Sequence, residues 1–272
     1  MFSSKLLVII DQDHQPWLDR RYIHKCRPFV SDQVCEQYHL LTGLPPVRSF
    51  TINSDGINFV ITDNKWIRLR GGKSSVIDND VIRVAAINMS SMISLKTNHQ
   101  LYLNDTLLKE GIRDYRVINR HYIIAITTDD RIVLYDGNQW IEDYINIDKP
   151  RLVGANIISG SGEVYSISCR SNPPQCRQLE VPLCLDYQHF ITTRSKNIYI
   201  DLNGKLWLIS INGSSTRIKS ELLKGKKLNH MIGNGISSVI VVDQSGDNYC
   251  VFGRNNGTYR VIRTDLPKLL TI

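Results

Sequence analysis

The sequence predicts an all-β fold: a seven-bladed β-propeller in which residues 1–272 form a single domain, closed by pairing of the C-terminal strand with the N-terminal blade. Three observations predict it. An apolar, β-branched run breaks at a short polar turn and resumes as a second apolar run at Asp13, Asn64, Asn98, Asp130, Gly162, Gly204 and Gly246. Successive turns lie 51, 34, 32, 32, 42 and 42 residues apart, and a four-stranded blade takes about 40 residues, burying its apolar faces only by stacking on its neighbours. Finally, 34 Ile and 18 Val stand against four Ala (Ala85, Ala86, Ala125, Ala155). That balance favours strands over a helical bundle.

The first unit, LLVIIDQDHQPWL, begins on an inner strand and lacks an opening one. Several later units open with Pro and an apolar strand: Pro46 in PPVRSFTI, Pro150 in PRLVGANI and Pro182 in PLCLDY. The chain ends on the same opening, Pro267 in PKLLTI, so residues 267–272 are expected to complete the first blade and remove two exposed sheet edges. Between the first two turns, residues 31–43 read as a short helical insert, with Ser31 as N-cap and Gly43 as stop signal. NFVITDNKWIRL, MISLKTNHQLYL and IIAITTDDRIVL follow as strand-turn-strand units, then NIISGSGEVYSI, IYIDLNGKLWLI and VIVVDQSGDNYCVF. Clusters of Gly, Asn, Asp and Pro separate strands of five or six residues in each.

Composition narrows the function classes. Hydrophobic residues make up 42% and charged residues 22%, ordinary values for a globular chain. No apolar stretch approaches the roughly 20 residues of a transmembrane helix. The N-terminus has no small-residue cleavage site, Phe2 excludes myristoylation, and no C-terminal Cys offers a prenylation site. The expectation is a monomer in the cytoplasm or nucleus with no membrane span. The six cysteines contain no CxxC pair and no zinc-finger spacing. Cys169 and Cys176 read either as a disulfide closing a hairpin tip or as two reduced thiols. The net charge of +7 suits an acidic partner. The basic residues form three groups: Arg20, Arg21, Lys25 and Arg27; Lys65, Arg68, Arg70 and Lys73; and Arg217, Lys219, Lys224, Lys226 and Lys227. Each reads as a solvated loop or edge strand, or as a contact patch.

No catalytic motif stands out. GSGEV (Gly160 to Val164) lacks nucleophile-elbow spacing, and GGKSS (Gly71 to Ser75) lacks the upstream Gly and βαβ context of a phosphate loop. Both read as turns in which Gly supplies positive φ. His121, His189 and His230 precede inner strands, where an imidazole is expected to hydrogen-bond backbone between blades. Trp17, Trp66 and Trp207 read as core, with Trp66 and Trp207 packing between blades. Trp140, after Gly137-Asn138-Gln139, reads as exposed and a partner contact. No catalytic residue, metal ligand or cofactor is assigned.

The last unit, Met231 to Val261, carries the most specific pattern. Gly233 precedes the first strand, Ser245-Gly246 forms the turn, Tyr249 follows, and Phe252-Gly253-Arg254-Asn255 leads to Gly257. A second unit keeps His121 nine residues before its turn, with Ala125 and the remnant Tyr135, Gly137, Asn138. A third is DLNGKLWLISINGS around Gly204. These units resemble the repeat of the regulator-of-chromosome-condensation family, which builds seven-bladed propellers and whose founding member is a guanine nucleotide exchange factor for the Ran GTPase. The resemblance implies a structural role in the repeat for His121, Gly204, Gly233, Gly246, Tyr249, Phe252, Gly253, Asn255 and Gly257.

Three functional readings follow. The first is a non-catalytic protein-binding propeller that engages its partner through face loops. Its candidate contacts are Trp140, Arg217, Lys219, Lys224, Lys226 and Lys227. The segments 31–43, 171–178 and 219–229 are its candidate interface. The second, implied by the resemblance, is guanine nucleotide exchange on a Ran-like small GTPase. The third is chromatin or nucleic-acid binding through the basic surface, which would weaken steeply with salt.

Overall fold

The computed structural model describes residues 8–10, 13–19, 30–35, 38–71, 73–153, 156–168, 174–179, 190–192, 196–201, 203–210, 215–233, 238–253 and 259–264. Among these, every regular element is a strand except one 3-10 turn, Glu221–Leu223. The chain divides into two compact units, residues 7–147 and residues 148–271.

Residues 7–147 hold four sheets. The first contains β1 (Val8–Ile10), β2 (Pro16–Asp19), β3 (Val30–Cys35) and β4 (Tyr38–Leu41), in the order β1-β2-β4-β3. The second runs through β5 (Val47–Asn53), β6 (Gly56–Ile61), β7 (Trp66–Arg70) and β8 (Lys73–Asp78). The third comprises β9 (Val81–Ala86), β10 (Met92–Lys96), β11 (Leu101–Leu103) and β12 (Thr106–Lys109). In the fourth are β13 (Ile112–Val117), β14 (Ile123–Thr127), β15 (Ile132–Tyr135) and β16 (Trp140–Ile145).

Residues 148–271 hold three more sheets. The fifth is built from β17 (Arg151–Val153), β18 (Asn156–Ile158), β19 (Val164–Ser168) and β20 (Gln175–Gln178). β21 (Phe190–Thr192), β22 (Lys196–Ile200), β23 (Leu206–Ser210) and β24 (Ser215–Arg217) make the sixth. The seventh has β25 (Leu228–Gly233), β26 (Ser238–Asp243), β27 (Asn248–Gly253) and β28 (Tyr259–Arg263). All pairings are antiparallel, and outside the first sheet the strands pair in sequence order.

The helical insert expected at 31–43 does not form. Residues 31–35 lie in β3 and 38–41 in β4, where Val34 pairs with His39 and Cys35 with Tyr38, and β4 continues onto β2. The helical periodicity of this stretch is weak. Two antiparallel partners satisfy its backbone groups and override it, as tertiary pairing commonly does with local propensity. The segment 171–178 is likewise not all loop, since Gln175–Gln178 is the edge strand of the fifth sheet.

The polar turns share one geometry. In six sheets the residue entering the turn accepts a bond from the N–H three positions on and donates to the carbonyl four positions on. Ile61, for example, accepts from Asn64 at 3.0 Å and donates to Lys65 at 3.0 Å, and Asp243 does the same with Gly246 at 2.9 Å and Asp247 at 3.0 Å. This is the three-residue hairpin that ends on a left-handed residue. Those residues are Asn64, His99, Asp130, Gly162, Gly204 and Gly246, all at positive φ, with His14 in the same place in the first sheet.

That left-handed carbonyl does not serve its own sheet. His14 O accepts from Val47 N at 2.7 Å, Asn64 O from Val81 N at 2.7 Å and His99 O from Ile112 N at 2.8 Å, each joining one sheet to the next. Gly204 O accepts from Leu228 N at 3.0 Å in the same way. The donors Val47, Val81, Ile112 and Leu228 open the first strands of their sheets, and a register shift follows each of them, which frees its N–H for the neighbouring sheet. All four side chains are buried, so the same residue supplies both a hydrogen bond and an apolar plug.

The cores lie between sheets for the same reason. Val60 and Trp66 of the second sheet pack with Val81, Val84 and Met92 of the third. Ile93, Leu95 and Leu101 meet Ile112, Tyr115, Ile123, Ala125 and Val133 of the fourth. In the other unit Ile198, Ile200, Leu206, Leu208 and Ile218 meet Leu228, Met231, Val239, Val241, Tyr249 and Val251. Trp66 thus packs between sheets as expected. Trp207 stacks on Tyr199 of its own sheet, with centroids 6.2 Å apart.

Gly204 provides a test of this geometry. A Cβ there would lie 2.7 Å from both the N and the O of Leu228 and 2.5 Å from Lys227 Cγ, at φ +67°. Gly71 has φ +55° with nothing near its Cβ position. Gly71→Ala is therefore expected to cost about 1–2 kcal/mol from backbone strain alone. Gly204→Ala adds overpacking and a disturbed inter-sheet bond, for about 3 kcal/mol or more. Urea denaturation of the two variants compares them directly.

Candidate partner-binding site

The candidate site is built on the hairpin of the sixth sheet. The turn that ends at Gly204 leads into β23, and β24 returns alongside it to Arg217. The chain then leaves the sheet at Ile218, whose N–H bonds Leu206 O at 2.9 Å, and rejoins at Leu228 on Gly204 O. Both ends of the connecting loop, residues 219–227, are thereby pinned to one hairpin. Lys205 Nζ adds a third tether to Lys226 O at 3.1 Å.

Inside the loop, Ser220 caps the 3-10 turn by accepting from Leu222 N at 3.3 Å through its hydroxyl. Its carbonyl takes Leu223 N at 3.0 Å, and Lys224 N and Lys226 N bond Glu221 O and Leu223 O, both at 3.2 Å. Gly225 reverses the chain at φ +73°. The result is a cleft of about 430 Å³. Its apolar lining is Leu206, Ile218, Leu223 and Leu228, and its cations are Lys205, Arg217, Lys219 and Lys224, against the single carboxylate of Glu221.

The structure sorts the expected contacts. Arg217, Lys219 and Lys224 come together on the cleft, joined by Lys205, which sequence reasoning did not select. Lys224 pairs loosely with Glu221 at 3.4 Å, both side chains being highly exposed. Among the described residues Arg217, Lys219 and Lys227 have no carboxylate partner, and all three are exposed.

Lys226 corrects the expectation of a free contact. Its ammonium lies 3.0 Å from Asp243 and 3.4 Å from Asp247, and the Asp243 carboxylate together with Tyr249 holds its pKa above the ordinary lysine value. Asp243 is the buried hub of the seventh sheet. Its Oδ1 accepts from Ser245 N at 2.9 Å and Asp247 N at 3.0 Å, and its Oδ2 accepts from Tyr249 Oη at 3.3 Å. Asp201 is the sixth-sheet counterpart, accepting from Lys205 N at 2.8 Å and from Trp207 Nε1 at 2.8 Å. Both carboxylates tie the turn to an aromatic six residues on, a spacing visible in the sequence but overshadowed by the glycines.

Trp140 is a second correction. It is half-buried, not a free surface aromatic. Its Nε1 donates to Leu108 O at 3.1 Å, its ring lies 5.2 Å from that of Tyr135, and Lys109 Nζ sits 5.4 Å above it. An indole with a neighbouring strand beside it buries its apolar body and gives its N–H to that strand's carbonyl. His121 does not bridge backbone between sheets; its Nε2 accepts from the adjacent Arg120 Nε at 2.9 Å. Among the described residues, the imidazoles of His14 and His99 meet a neighbouring sheet, with Nδ1 at 3.1 Å from Val47 O and 3.2 Å from Ile112 O.

Of the other repeat residues, Gly204 and Gly246 occupy left-handed turn positions and Tyr249 is buried against Asp243. Gly233, Phe252 and Gly253 lie within β25 and β27. Asn255, Gly257, His189, Cys169 and residues 267–272 fall outside the described residues. Burial pushes the Cys176 thiol pKa up to about 11, and its expected pairing with Cys169 involves a residue outside the described ones. Among the described residues no group of three or more His, Cys, Asp or Glu is placed to hold a metal, and no helix is long and apolar enough to cross a membrane.

Burial alone would raise the Asp243 pKa. The Lys226 ammonium and the N–H groups of Asp247 and Ser245 outweigh it and hold the carboxyl below its usual range. A carboxyl with a lowered folded pKa stabilises fully above its unfolded value of about 3.9, and the contribution disappears as pH falls through the folded value. Asp243→Asn is thus expected to destabilise by about 1–3 kcal/mol at neutral pH. Its gap from the unsubstituted protein should close on acidification below about pH 4, as thermal melts across pH would show.

No family model matches the sequence, and no curated protein matches it. Solved structures do. BamB from Moraxella catarrhalis aligns with a TM-score of 0.52 at 11% identity, over 98% of this chain and 92% of that one. Prp20p from Saccharomyces cerevisiae, described with its binding to Gsp1p and histones, aligns with a TM-score of 0.55 at 10% identity, over 98% and 90%. The β-propeller domain of Cps50 (Swd1) from Myceliophteria thermophila gives 0.53 at 9% identity, over 83% and 88%. At such identities the likeness is one of fold, and that fold is a β-propeller of four-stranded antiparallel sheets.

Proposed function

We propose that this chain is a non-catalytic protein-binding propeller that engages its partner through loops, with the cleft at residues 204–228 as the main contact. The observation that carries this reading is the cleft itself. An apolar floor and unpaired cations stand on a loop pinned at both ends, so little ordering entropy is lost when a partner docks. Prp20p, of like fold, binds the proteins Gsp1p and histones.

In this reading the seven sheets close as a ring, residues 267–272 pairing with the first sheet. Supporting it, β1 leads into its turn yet lies at the edge of its sheet, whereas its counterparts β6, β10, β14, β18, β22 and β26 each have a partner on both sides. One strand position is thus open beside β1 among the described strands. Deletion of residues 267–272 is expected to lower the Tm of the whole domain by several degrees, about 1 kcal/mol of lost pairing sufficing for a few degrees. An unchanged melt would count against closure.

A second reading, guanine nucleotide exchange on a Ran-like small GTPase, draws on the repeat resemblance and the likeness to Prp20p. Chromatin or nucleic-acid binding draws on the net charge of +7. Affinity capture from a eukaryotic lysate separates the three. Protein-binding predicts a specific protein that survives nuclease treatment and high salt, while phosphate contacts predict loss of capture on both. Nucleotide release from a Ran-like GTPase is expected to be unaccelerated, and acceleration would move the assignment to exchange.

A further inference from the structure

We propose that the cleft at residues 204–228 is a docking site for an acidic peptide segment of a partner protein. The segment seats one apolar side chain on Ile218, Leu223 and Leu228 and sets its carboxylates against Lys205, Arg217 and Lys219. This rests on the protein-binding reading and names the chemistry that would be bound.

Charge selects an acidic occupant. Four cations line the cleft against one carboxylate, and that carboxylate, Glu221, faces Lys224. Arg217 and Lys219 have no acidic neighbour among the described residues, so a ligand carboxylate displaces no existing ion pair there. Desolvation costs remain modest at a solvent-exposed rim, where opposite charge chiefly gives specificity and association rate.

The floor selects a peptide over a nucleic acid or free phosphate. None of the lining residues is aromatic, so the cleft offers no platform for base stacking. Four of the loop's N–H groups, at Leu222, Leu223, Lys224 and Lys226, are already bonded within the loop, which reduces the amides that could cradle a phosphate there. Aliphatic side chains line the floor instead, and a volume of about 430 Å³ admits an apolar side chain with its flanking backbone. Leu222, 44% exposed on the 3-10 turn, extends the apolar surface beyond the lining.

The test is fluorescence polarisation of the full chain with a labelled peptide of alternating Glu and Asp around one Phe. Two control peptides replace Phe by Ala, or every acid by its amide. The expected result is binding about tenfold tighter than either control, and about tenfold weaker binding by the double variant Arg217→Glu, Lys219→Glu with its melting curve unchanged. Both positions are exposed, so the variant is expected to fold. Equal binding of the amide peptide, equal binding by the double variant, or displacement of the acidic peptide by inorganic phosphate or a single-stranded RNA at lower concentration would overturn the proposal. Lysate capture repeated with the double variant distinguishes the two levels. A partner still captured by it removes the cleft and leaves protein binding standing, whereas no captured protein with either form removes the broader reading.

Discussion

The structure depends on a single backbone hydrogen bond used repeatedly: the carbonyl of a left-handed turn residue accepting the first N–H of the next sheet's first strand. A β-hairpin ordinarily spends its turn carbonyls on water or on its own strands. Here the left-handed residue turns its carbonyl outward, and the register shift behind Val47, Val81, Ile112 or Leu228 turns an N–H toward it. Such a bond is worth about 1 kcal/mol net, but leaving a buried N–H unpaired costs about 1–3 kcal/mol. The arrangement therefore fixes spacing more strongly than its mean worth suggests. It also explains why the donor residues are buried aliphatics, for the position that supplies the N–H must also fill the junction.

Other inter-sheet contacts elaborate this join. Tyr115, wholly buried, gives its hydroxyl to Ile93 O at 3.0 Å. Arg83 of the third sheet pairs with Asp114 of the fourth, where Arg116 also reaches the carboxylate at 3.0 Å. Burial raises the Asp114 pKa despite the Arg83 guanidinium and the Tyr115 N–H, so this pair serves to fix neighbours more than to add net stability. The Trp140 indole bonds the Leu108 carbonyl across the same pair of sheets. Polar residues thus appear between sheets wherever a donor and an acceptor can meet.

The sequence made the repeat legible because the left-handed position admits few residue types. Asn64, Asp130, Gly162, Gly204 and Gly246 were placed on that residue itself. Asp13 and Asn98 fell one residue short, because His14 and His99 occupy the left-handed position and histidine is a weaker turn signal than its Asp or Asn neighbour. The strands around 31–43 were not legible, since their partner β2 is distant in sequence and periodicity alone carries no pairing information. The intramolecular partners of Lys226 and Trp140 were not legible for a related reason. The sequence showed a cation and an aromatic near loops, but not the Asp243 carboxylate or the Leu108 carbonyl that folding brings to them. Lys205, by contrast, follows directly on Gly204 and was hidden by its role as a turn residue.

The cleft shows how a repeat can acquire a specific surface without disturbing its joins. Between the second and third sheets only residues 79–80 connect β8 to β9, and between the third and fourth only 110–111 connect β12 to β13. Such connections reach the first strand of the next sheet with no chain to spare. Between the sixth and seventh sheets the connection runs over 218–227, yet it ends on the same bond, Leu228 N to Gly204 O. The additional residues rise as a capped loop while the join beneath is unchanged. Leu228 serves both, as donor in the join and as part of the cleft floor, and Ile218 likewise belongs to the inter-sheet core. A substitution at either would alter stability together with recognition. If the cleft binds as proposed, specificity can be tuned without cost to the fold at exposed positions such as Arg217, Lys219 and Lys224, whose side chains bear no part of the core.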